Sequence, residues 1–140
     1  MEKLCCNRYC RLADMNIGPV FVTKLFSKFV DAGRIAHLNL SLNLIGDSGA
    51  VAISQVLSKS QSLVSLNLAS NGLGKVGFIC LFNAITINQS LITLNLSTIE
   101  GINRNRISKR VYPAFRHMLL NSEFLLNLDL SGVSLGNYGI

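Results

Sequence analysis

The chain has 140 residues, of which 49% are hydrophobic and 14% are charged, and its formal net charge is +6. This composition is typical of a globular domain and excludes a disordered chain. Polar residues and glycines interrupt every apolar run before it reaches the length of a membrane-spanning helix, about 18 residues. The N-terminal residues lack the continuous apolar segment of a secretory signal. We therefore expect a cytoplasmic protein with no membrane span.

The residue types that carry chemistry are sparse. The four cysteines, at positions 5, 6, 10 and 80, form no C-x-x-C pair and have no histidine at zinc-ligand spacing. The two histidines, His37 and His117, fall on a predicted strand and a predicted helix on opposite sides of the fold, and no nucleophile is paired with a base. The sequence therefore predicts a non-enzymatic protein without a metal or cofactor.

A hexad of alternating leucines recurs along the chain. The segment 63–68, Leu-Val-Ser-Leu-Asn-Leu, returns as Leu-Ile-Thr-Leu-Asn-Leu at 91–96, and Leu38, Leu66 and Leu94 follow one another at intervals of 28 residues. A fixed period of this length indicates a repeat architecture in which each unit is one supersecondary element. We expect a single domain built of units at about 7–34, 35–62, 63–90 and 91–124, with a partial unit at 125–140.

Each unit reads as a short strand, a turn and a helix. Asn43 and Asn71 lie three residues after the last leucine of their hexads, where a buried amide can bond the backbone groups that the turn leaves unpaired. Asp47 or Ser48 is expected to cap the second helix. Helical spacing predicts these inward faces: Phe21, Leu25 and Phe29; Ala50, Ile53 and Leu57; Phe78, Leu81 and Ile85; Phe115 and Leu119.

The fourth unit is six residues longer than the others, because Leu94 and Leu128 are 34 residues apart. Asn105 matches the turn asparagines, so the insertion lies between the strand and the turn, within about 98–103. We expect it to bulge from the rim at the carboxyl ends of the strands. The fifth unit, with its turn at Leu135 and Gly136, ends where a helix should begin. We therefore expect a fragment, or a C-terminal edge that meets a partner.

The leucine hexads, the turn motif Asn-x-Ile/Leu-Gly and the glycines at 49 and 77 together resemble leucine-rich-repeat proteins of the ribonuclease-inhibitor-like subclass. The resemblance implies a right-handed α/β solenoid, here a horseshoe fragment, with a parallel concave sheet and convex helices. Members of the subclass bind proteins, and include ribonuclease inhibitors, sensor regions of NACHT-type receptors and a GTPase-activating protein. Met15, Val111 and Val133 depart from the pattern.

Side chains alternate along a strand, so the residues between the leucines should face the concave side. This face is polar and almost uncharged, and it carries an asparagine column that ends in an aspartate. It can serve as a hydrogen-bonding platform for a protein, or it can simply be a solvated sheet face. The candidate partner-binding residues are His37, Asn39, Ser65, Asn67, Thr93, Asn95, Asn127 and Asp129. The same alternation adds Ser41, Ala69, Ser97 and Ser131, and Tyr9, Arg11 and Ala13 in the first unit.

The second candidate surface is the inserted segment, where four basic residues, Arg104, Arg106, Lys109 and Arg110, fall within seven positions. Guanidinium groups suit carboxylates and phosphates, although such a run is also typical of a solvated loop. Aromatic residues for stacking on bases are missing, so nucleic acid is not favoured. The sequence predicts a protein-interaction scaffold with a protein partner, an acidic one at the insertion. The alternatives are a regulatory or sensor region, such as a GTPase activator or NACHT-type receptor fragment, and binding of an acidic ligand or RNA.

Overall fold

The computed structural model describes the backbone of Cys5 and Cys6 and residues 8–133. One sheet contains six strands in chain order: β1 Cys5–Cys6, β2 Tyr9–Arg11, β3 His37–Asn39, β4 Ser65–Asn67, β5 Thr93–Asn95 and β6 Asn127–Asp129. Helices alternate with the strands: α1 Pro19–Leu25, continued by a π-helical turn Phe26–Val30, then α2 Gly46–Leu57, α3 Lys75–Ile87 and α4 Tyr112–Asn121, which follows a 3₁₀ turn Lys109–Val111. The turn predicted at Leu135 and Gly136 lies outside the described residues.

The strand register follows the 28-residue period. Leu38 pairs with Leu66, Leu66 with Leu94, and Leu94 with Leu128, all between parallel strands. The predicted register is therefore confirmed, including the extra length of the fourth unit. Because a shift of one residue would move every leucine to the opposite face, the burial of these leucines fixes the alignment. The fold is an α/β leucine-rich-repeat solenoid.

One strand differs from the predicted parallel sheet. The sequence analysis left residues 1–6 outside the first unit, yet Cys5 and Cys6 form β1, which pairs antiparallel with Cys10 and Tyr9. The connection passes through Arg8 in a left-handed conformation, φ 68°. A hairpin connects strands in two or so residues, whereas parallel strands need a long crossover. The first edge of the parallel sheet is therefore covered by the chain itself.

The core lies between the sheet and the helices. The predicted inward residues of α2 and α3 are buried, as are the central leucines of β3, β4 and β5. The predictions for the outer helices were partly wrong. Phe21 is 40% exposed, and Leu119 is 59% exposed, while Met118 is buried. In α1 the buried residues are Val22 and Leu25, continued by Phe26 and Val30 in the π-helical turn, and the wider π turn rotates the face away from the expected spacing.

The turn asparagines form a buried ladder that joins each unit to the previous one. Asn43 Nδ2 donates to the carbonyls of Leu12 and Leu40 at 2.9 Å each, and its Oδ1 accepts the Ile17 N–H at 2.9 Å. Asn71 likewise donates to Leu40 O at 2.9 Å. These bonds satisfy backbone groups that would otherwise be buried without partners, so the amide is part of the core although it is polar.

Candidate functional site

The concave surface is formed by the residues on either side of each buried strand centre. Its members on the middle strands are half-buried, and those on β6 are exposed. The structure therefore brings the predicted residues together on one face of the sheet: His37, Asn39, Ser65, Asn67, Thr93, Asn95, Asn127 and Asp129. Partner binding by these residues remains a prediction.

Three further residues predicted for the concave surface are not on it. Ser41, Ala69 and Ser97 are only 5%, 0% and 7% exposed. Each stands two residues beyond the end of its strand, where the chain has already turned into the core, so strand alternation no longer applies. Ser131 is exposed, because it lies in the last described unit.

The asparagines of the concave surface share one hydrogen-bonding arrangement. In each case Oδ1 accepts the backbone N–H two residues later: Asn39 from Ser41 at 3.0 Å, Asn67 from Ala69 at 2.9 Å and Asn95 from Ser97 at 2.9 Å. This is an Asx turn, which mimics a backbone turn. The Nδ2 groups make no hydrogen bond to any described residue. Each Oδ1 is thus engaged in its own turn, and the column presents the unbonded Nδ2 donors.

Asp129 continues the column with a carboxylate in the same turn. Its Oδ1 accepts the Ser131 backbone N–H at 2.8 Å and also the Ser131 hydroxyl. Both bonds favour the ionised form, and the hydroxyl followed by the backbone bond lowers the pKa of Asp129 below its usual value. The column therefore consists of three neutral amide groups followed by one carboxylate.

The N-terminal end of the concave surface is aromatic. The rings of Tyr9 and His37 are stacked, with centroids 4.1 Å apart and an interplanar angle of 9°. They line a shallow depression of about 400 Å³ together with Arg11, Asn39 and Asn67. The register explains this pairing, because Tyr9 lies directly opposite His37 on the neighbouring strand. A partner side chain can enter here against a preformed aromatic wall.

The inserted segment lies on the rim at the carboxyl ends of the strands, as predicted, but it does not project freely. Asn105 takes the place of the turn asparagine: its Nδ2 donates to Leu68 O at 3.0 Å and Leu96 O at 2.9 Å. The loop before it folds back over earlier units, since Asn103 Nδ2 donates to Asn43 O at 3.1 Å and Asn103 O accepts the Gly72 N–H at 2.9 Å.

The four basic residues of this region are all exposed, but they do not lie on one loop. Arg104 directly follows the inserted residues, and its guanidinium packs back over Gly101. Arg106 is in the turn, where its N–H donates to Leu73 O at 2.8 Å. Lys109 and Arg110 are in the 3₁₀ turn that leads into α4. Their exposure agrees with the sequence prediction, and binding of an acidic partner by these residues stays a prediction.

Comparisons with known proteins agree with this geometry. A sequence-family model described as "Leucine Rich repeat" matches residues 35–54 and 59–82, which contain β3 and β4, most of α2 and part of α3. The two matched segments are therefore leucine-rich repeats. Among solved structures, the repeat fold here is similar to "Leiomodin-1 Actin-Binding Site 2 (ABS2)", with a TM-score of 0.75 and 20% identity over 88% of this chain and 69% of that one. No curated protein sequence matches the chain.

Two other kinds of feature are not found in the described part of the chain. Among residues 8–133, no group of three His, Cys, Asp or Glu side chains is arranged to hold a metal ion. Within the described part of the chain, no helix has both the length and the apolar content to cross a membrane.

Two features of the site were missed by sequence reasoning. One is that the concave asparagines bond their own turns through Oδ1 and leave Nδ2 unbonded, which depends on the Asx turn. The signal was present, since serine follows two residues after Asn39, Asn95 and Asp129. The other is a set of exposed apolar side chains on the rim, including Leu44 and Ile102, which are 54% and 49% exposed. No periodicity distinguishes these from core residues.

Proposed function

We propose that this leucine-rich-repeat protein is a non-enzymatic protein-interaction scaffold whose concave surface binds a segment of a partner protein. The observation that carries the proposal is the asparagine column, in which Asn39, Asn67 and Asn95 keep their Nδ2 donors unbonded while each Oδ1 is engaged in its own turn. Buried against a partner, unpaired donors would be costly, so the partner must supply acceptors.

The spacing of the column defines the partner further. The three asparagines are paired in register on neighbouring parallel strands, and such strands are about 4.8 Å apart. Three donor groups therefore lie in a row of about 10 Å. A partner segment that presents carbonyl or carboxylate oxygens along this row can accept hydrogen bonds from all three Nδ2 groups. At the far end of the row, the negative charge of Asp129 disfavours a carboxylate of the partner.

The aromatic end supplies the apolar part of the contact. Interface hot spots are enriched in aromatic residues within desolvated pockets. The Tyr9 and His37 stack lines such a depression, and Tyr9 is 57% exposed. We infer that an apolar or planar side chain of the partner enters the depression while its acceptors meet the asparagines.

The similarity to solved repeat structures supports a protein as the partner, since the matched structure is named as an actin-binding site. At 20% identity the likeness concerns the fold, so actin is one defined candidate to assay. We also infer the ribonuclease-inhibitor-like subclass from the 28-residue period. Cytoplasmic location and a regulatory or sensor role within a larger protein remain proposals.

The test uses Asn39→Asp, Asn67→Asp and Asn95→Asp together. Asp129 already forms the same turn with a carboxylate, so this variant keeps the turn acceptors and removes the three donors. The matched control is Gln55→Glu on the exposed side of α2. Proteins captured from the source cell, and purified actin as a separate arm, should bind wild type and control but not the triple variant. If wild type, control and triple variant have the same melting temperature and capture the same amount of partner, the binding surface lies elsewhere on the protein.

A further inference from the structure

The last residues of the strands form one row across the concave surface. Arg11, at the end of β2, pairs in register with Asn39, and the same register continues through Asn67 and Asn95 to Asp129. At a strand spacing of about 4.8 Å, the intervals of this row add up to about 19 Å. The asparagine column is therefore the middle of a longer row, with a cationic residue at one end and an anionic residue at the other.

Arg11 shares a surface with the asparagines. It lines the shallow depression together with Asn39 and Asn67. Its side chain is exposed and forms no ion pair or hydrogen bond with a described residue. A guanidinium group has several N–H donors and no acceptor. The β2 end of the row therefore offers positively charged donors beside the first two amides.

Asp129 occupies the position equivalent to an asparagine of the column. Its Oδ1 accepts the N–H of the residue two positions later, as Asn95 Oδ1 does, so its Oδ2 takes the place of an asparagine Nδ2. An amide nitrogen donates, whereas an ionised carboxylate oxygen only accepts. Asp129 is exposed, and the bonds from Ser131 favour its ionised form. The β6 end of the row is therefore a negatively charged acceptor.

Neither charge is paired within the described part of the chain. Of the strand residues that face the concave side, all of which are described, Arg11 and Asp129 are the charged ones, and His37 is titratable. The charged residues in the segments beyond the strand ends form no ion pair or hydrogen bond with either of them: Asp14, Glu100, Arg104 and Arg106. The row therefore offers a partner one unpaired charge of each sign, at opposite ends.

We propose that the row binds an extended segment of the partner protein that carries an acidic side chain over Arg11 and a basic side chain over Asp129. This inference rests on the proposed function, because it concerns the same surface, and it adds the charges and the orientation of the bound segment. An extended segment fits better than a helix, since the backbone carbonyls of a helix are bonded within it and cannot accept from the asparagines. At about 3.3 Å per residue, 19 Å or so separates residues about six positions apart.

The experiment uses four synthetic peptides that differ only at two positions with this separation. These carry Glu and Lys, Glu and Gln, Gln and Lys, or Gln and Gln, in a background of Ser and Thr with one Tyr beside the first position to enter the depression. Backbone amide shifts of the full chain are followed by NMR during titration. The Glu/Lys peptide should bind most tightly, and each charge should strengthen binding by about two- to fivefold at low ionic strength.

Orientation is measured with a nitroxide label at the acidic end of the Glu/Lys peptide. The label should broaden the amide signals of Tyr9 and Arg11 and leave those of Asn127 and Asp129 sharp, because the acidic end lies over β2. Equal broadening at both ends of the row would exclude a fixed orientation and overturn the proposal.

Variants assign each preference to one end of the row. Arg11→Gln should remove the preference for Glu over Gln and keep the preference for Lys over Gln. Asp129→Asn keeps the turn acceptor and should have the opposite effect. Asp14→Asn is the matched control, because it removes a charge beyond the end of β2 and asparagine tolerates the left-handed backbone there, φ 55°. It should leave both preferences unchanged.

The outcomes separate this inference from the proposed function. If the four peptides shift the concave residues with equal affinity, and the triple asparagine variant abolishes the shifts caused by the Gln/Gln peptide, the concave surface binds a segment without regard to charge and this inference is wrong. If none of the peptides shifts the concave residues of the wild type, both the inference and the proposed function are overturned.

Discussion

The carboxylate of Asp47 occupies the space in which a side chain on Gly77 would stand: Asp47 Oδ1 accepts the Gly77 N–H at 3.0 Å, and a Cβ built on Gly77 would lie 2.7 Å from that oxygen. The same oxygen accepts the Gly74 N–H at 2.6 Å. Gly77 is the third residue of α3, whose N–H has no partner inside the helix. The sequence predicted that Asp47 or Ser48 caps α2, but α2 has no side-chain cap. Asp47 caps α3 of the next unit instead.

Asp47→Ala should lower the free energy of unfolding by about 0.5–2 kcal/mol, the range found for lost helix caps. Asp47→Asn keeps an oxygen acceptor but loses the favourable charge at the helix N-terminus, so it should cost less. Urea melts measure both. Ser48→Ala, at the exposed neighbouring position, serves as the control and should stay within about 0.5 kcal/mol. Equal losses for Ser48→Ala and Asp47→Ala would exclude the cap.

Gly77→Ala should destabilise the chain by about 1–3 kcal/mol, as overpacking does, because its Cβ would also lie 3.0 Å from Ala50 Cβ. Removing the carboxylate first should relieve part of this cost. A double-mutant cycle of Gly77→Ala with Asp47→Ala is therefore expected to be non-additive. Additive losses would mean that Ala50 alone causes the clash.

Leu66→Ala should cost about 2–5 kcal/mol, because Leu66 is fully buried at the centre of β4. Ser65→Ala, one residue earlier on the half-buried concave face, should change stability by less than about 0.5 kcal/mol. Denaturant melts of the two variants compare the inward and outward positions of one strand. Similar losses would contradict the assigned orientation of the leucine hexads.

Asn105→Ala should lower the free energy of unfolding by more than is usual for the loss of a polar side chain. It removes donors to Leu68, Leu96 and Ser97 and the acceptor of the Asn71 and Leu73 N–H groups. Each buried backbone group left unpaired costs about 1–3 kcal/mol, so we expect a loss above about 3 kcal/mol in thermal or urea melts. Asn103→Ala, which removes one bond from a half-buried side chain, is the matched control.

Ser131→Ala should raise the pKa of Asp129 towards its usual value, because the hydroxyl bond is the largest cause of the lowered pKa. The backbone bond remains, so the rise should be partial. An aspartate with a lowered folded pKa stabilises the fold above its unfolded pKa, and this contribution is lost as the pH falls through the folded pKa. Side-chain NMR titration measures the change. An unchanged pKa in the variant would assign the effect to the backbone bond alone.

The periodic parts of the fold could be predicted from the sequence because burial repeats with the period. The leucine pattern around Leu38, Leu66 and Leu94 aligns with itself only at a shift of 28 residues. This alignment fixes the strands, their register and the position of the insertion. The faces of α1 and α4 could not be predicted as well. Both helices carry apolar residues on several sides, so Phe21 and Leu119 fit a helical spacing as well as Val22 and Met118 do.

Local sequence rules could not predict the hydrogen bonds between repeat units. Capping rules relate a side chain to an N–H two or three residues later, whereas Asp47 bonds the N–H of residues 27 and 30 positions away. The arrangement of the rim escaped prediction for the same reason. Asn103 reaches Asn43 across 60 residues of sequence, and only the stacking of units brings them together. In the candidate site, residue identity was predictable from strand alternation, while donor and acceptor roles were not.

The closed base of the insertion has a practical consequence for protein engineering. Thr98 Oγ1 accepts the Asn105 N–H, the Thr98 N–H donates to Ser131 O, and Asn105 bonds the turns of two units. Thr98 and Asn105 therefore fix the two ends of the loop, while Ile99 and Asn103 bond earlier units from within it. Loop closure entropy rises only slowly with length, so a foreign peptide inserted at positions 100–102 can be displayed at a defined point of the rim while these bonds are kept.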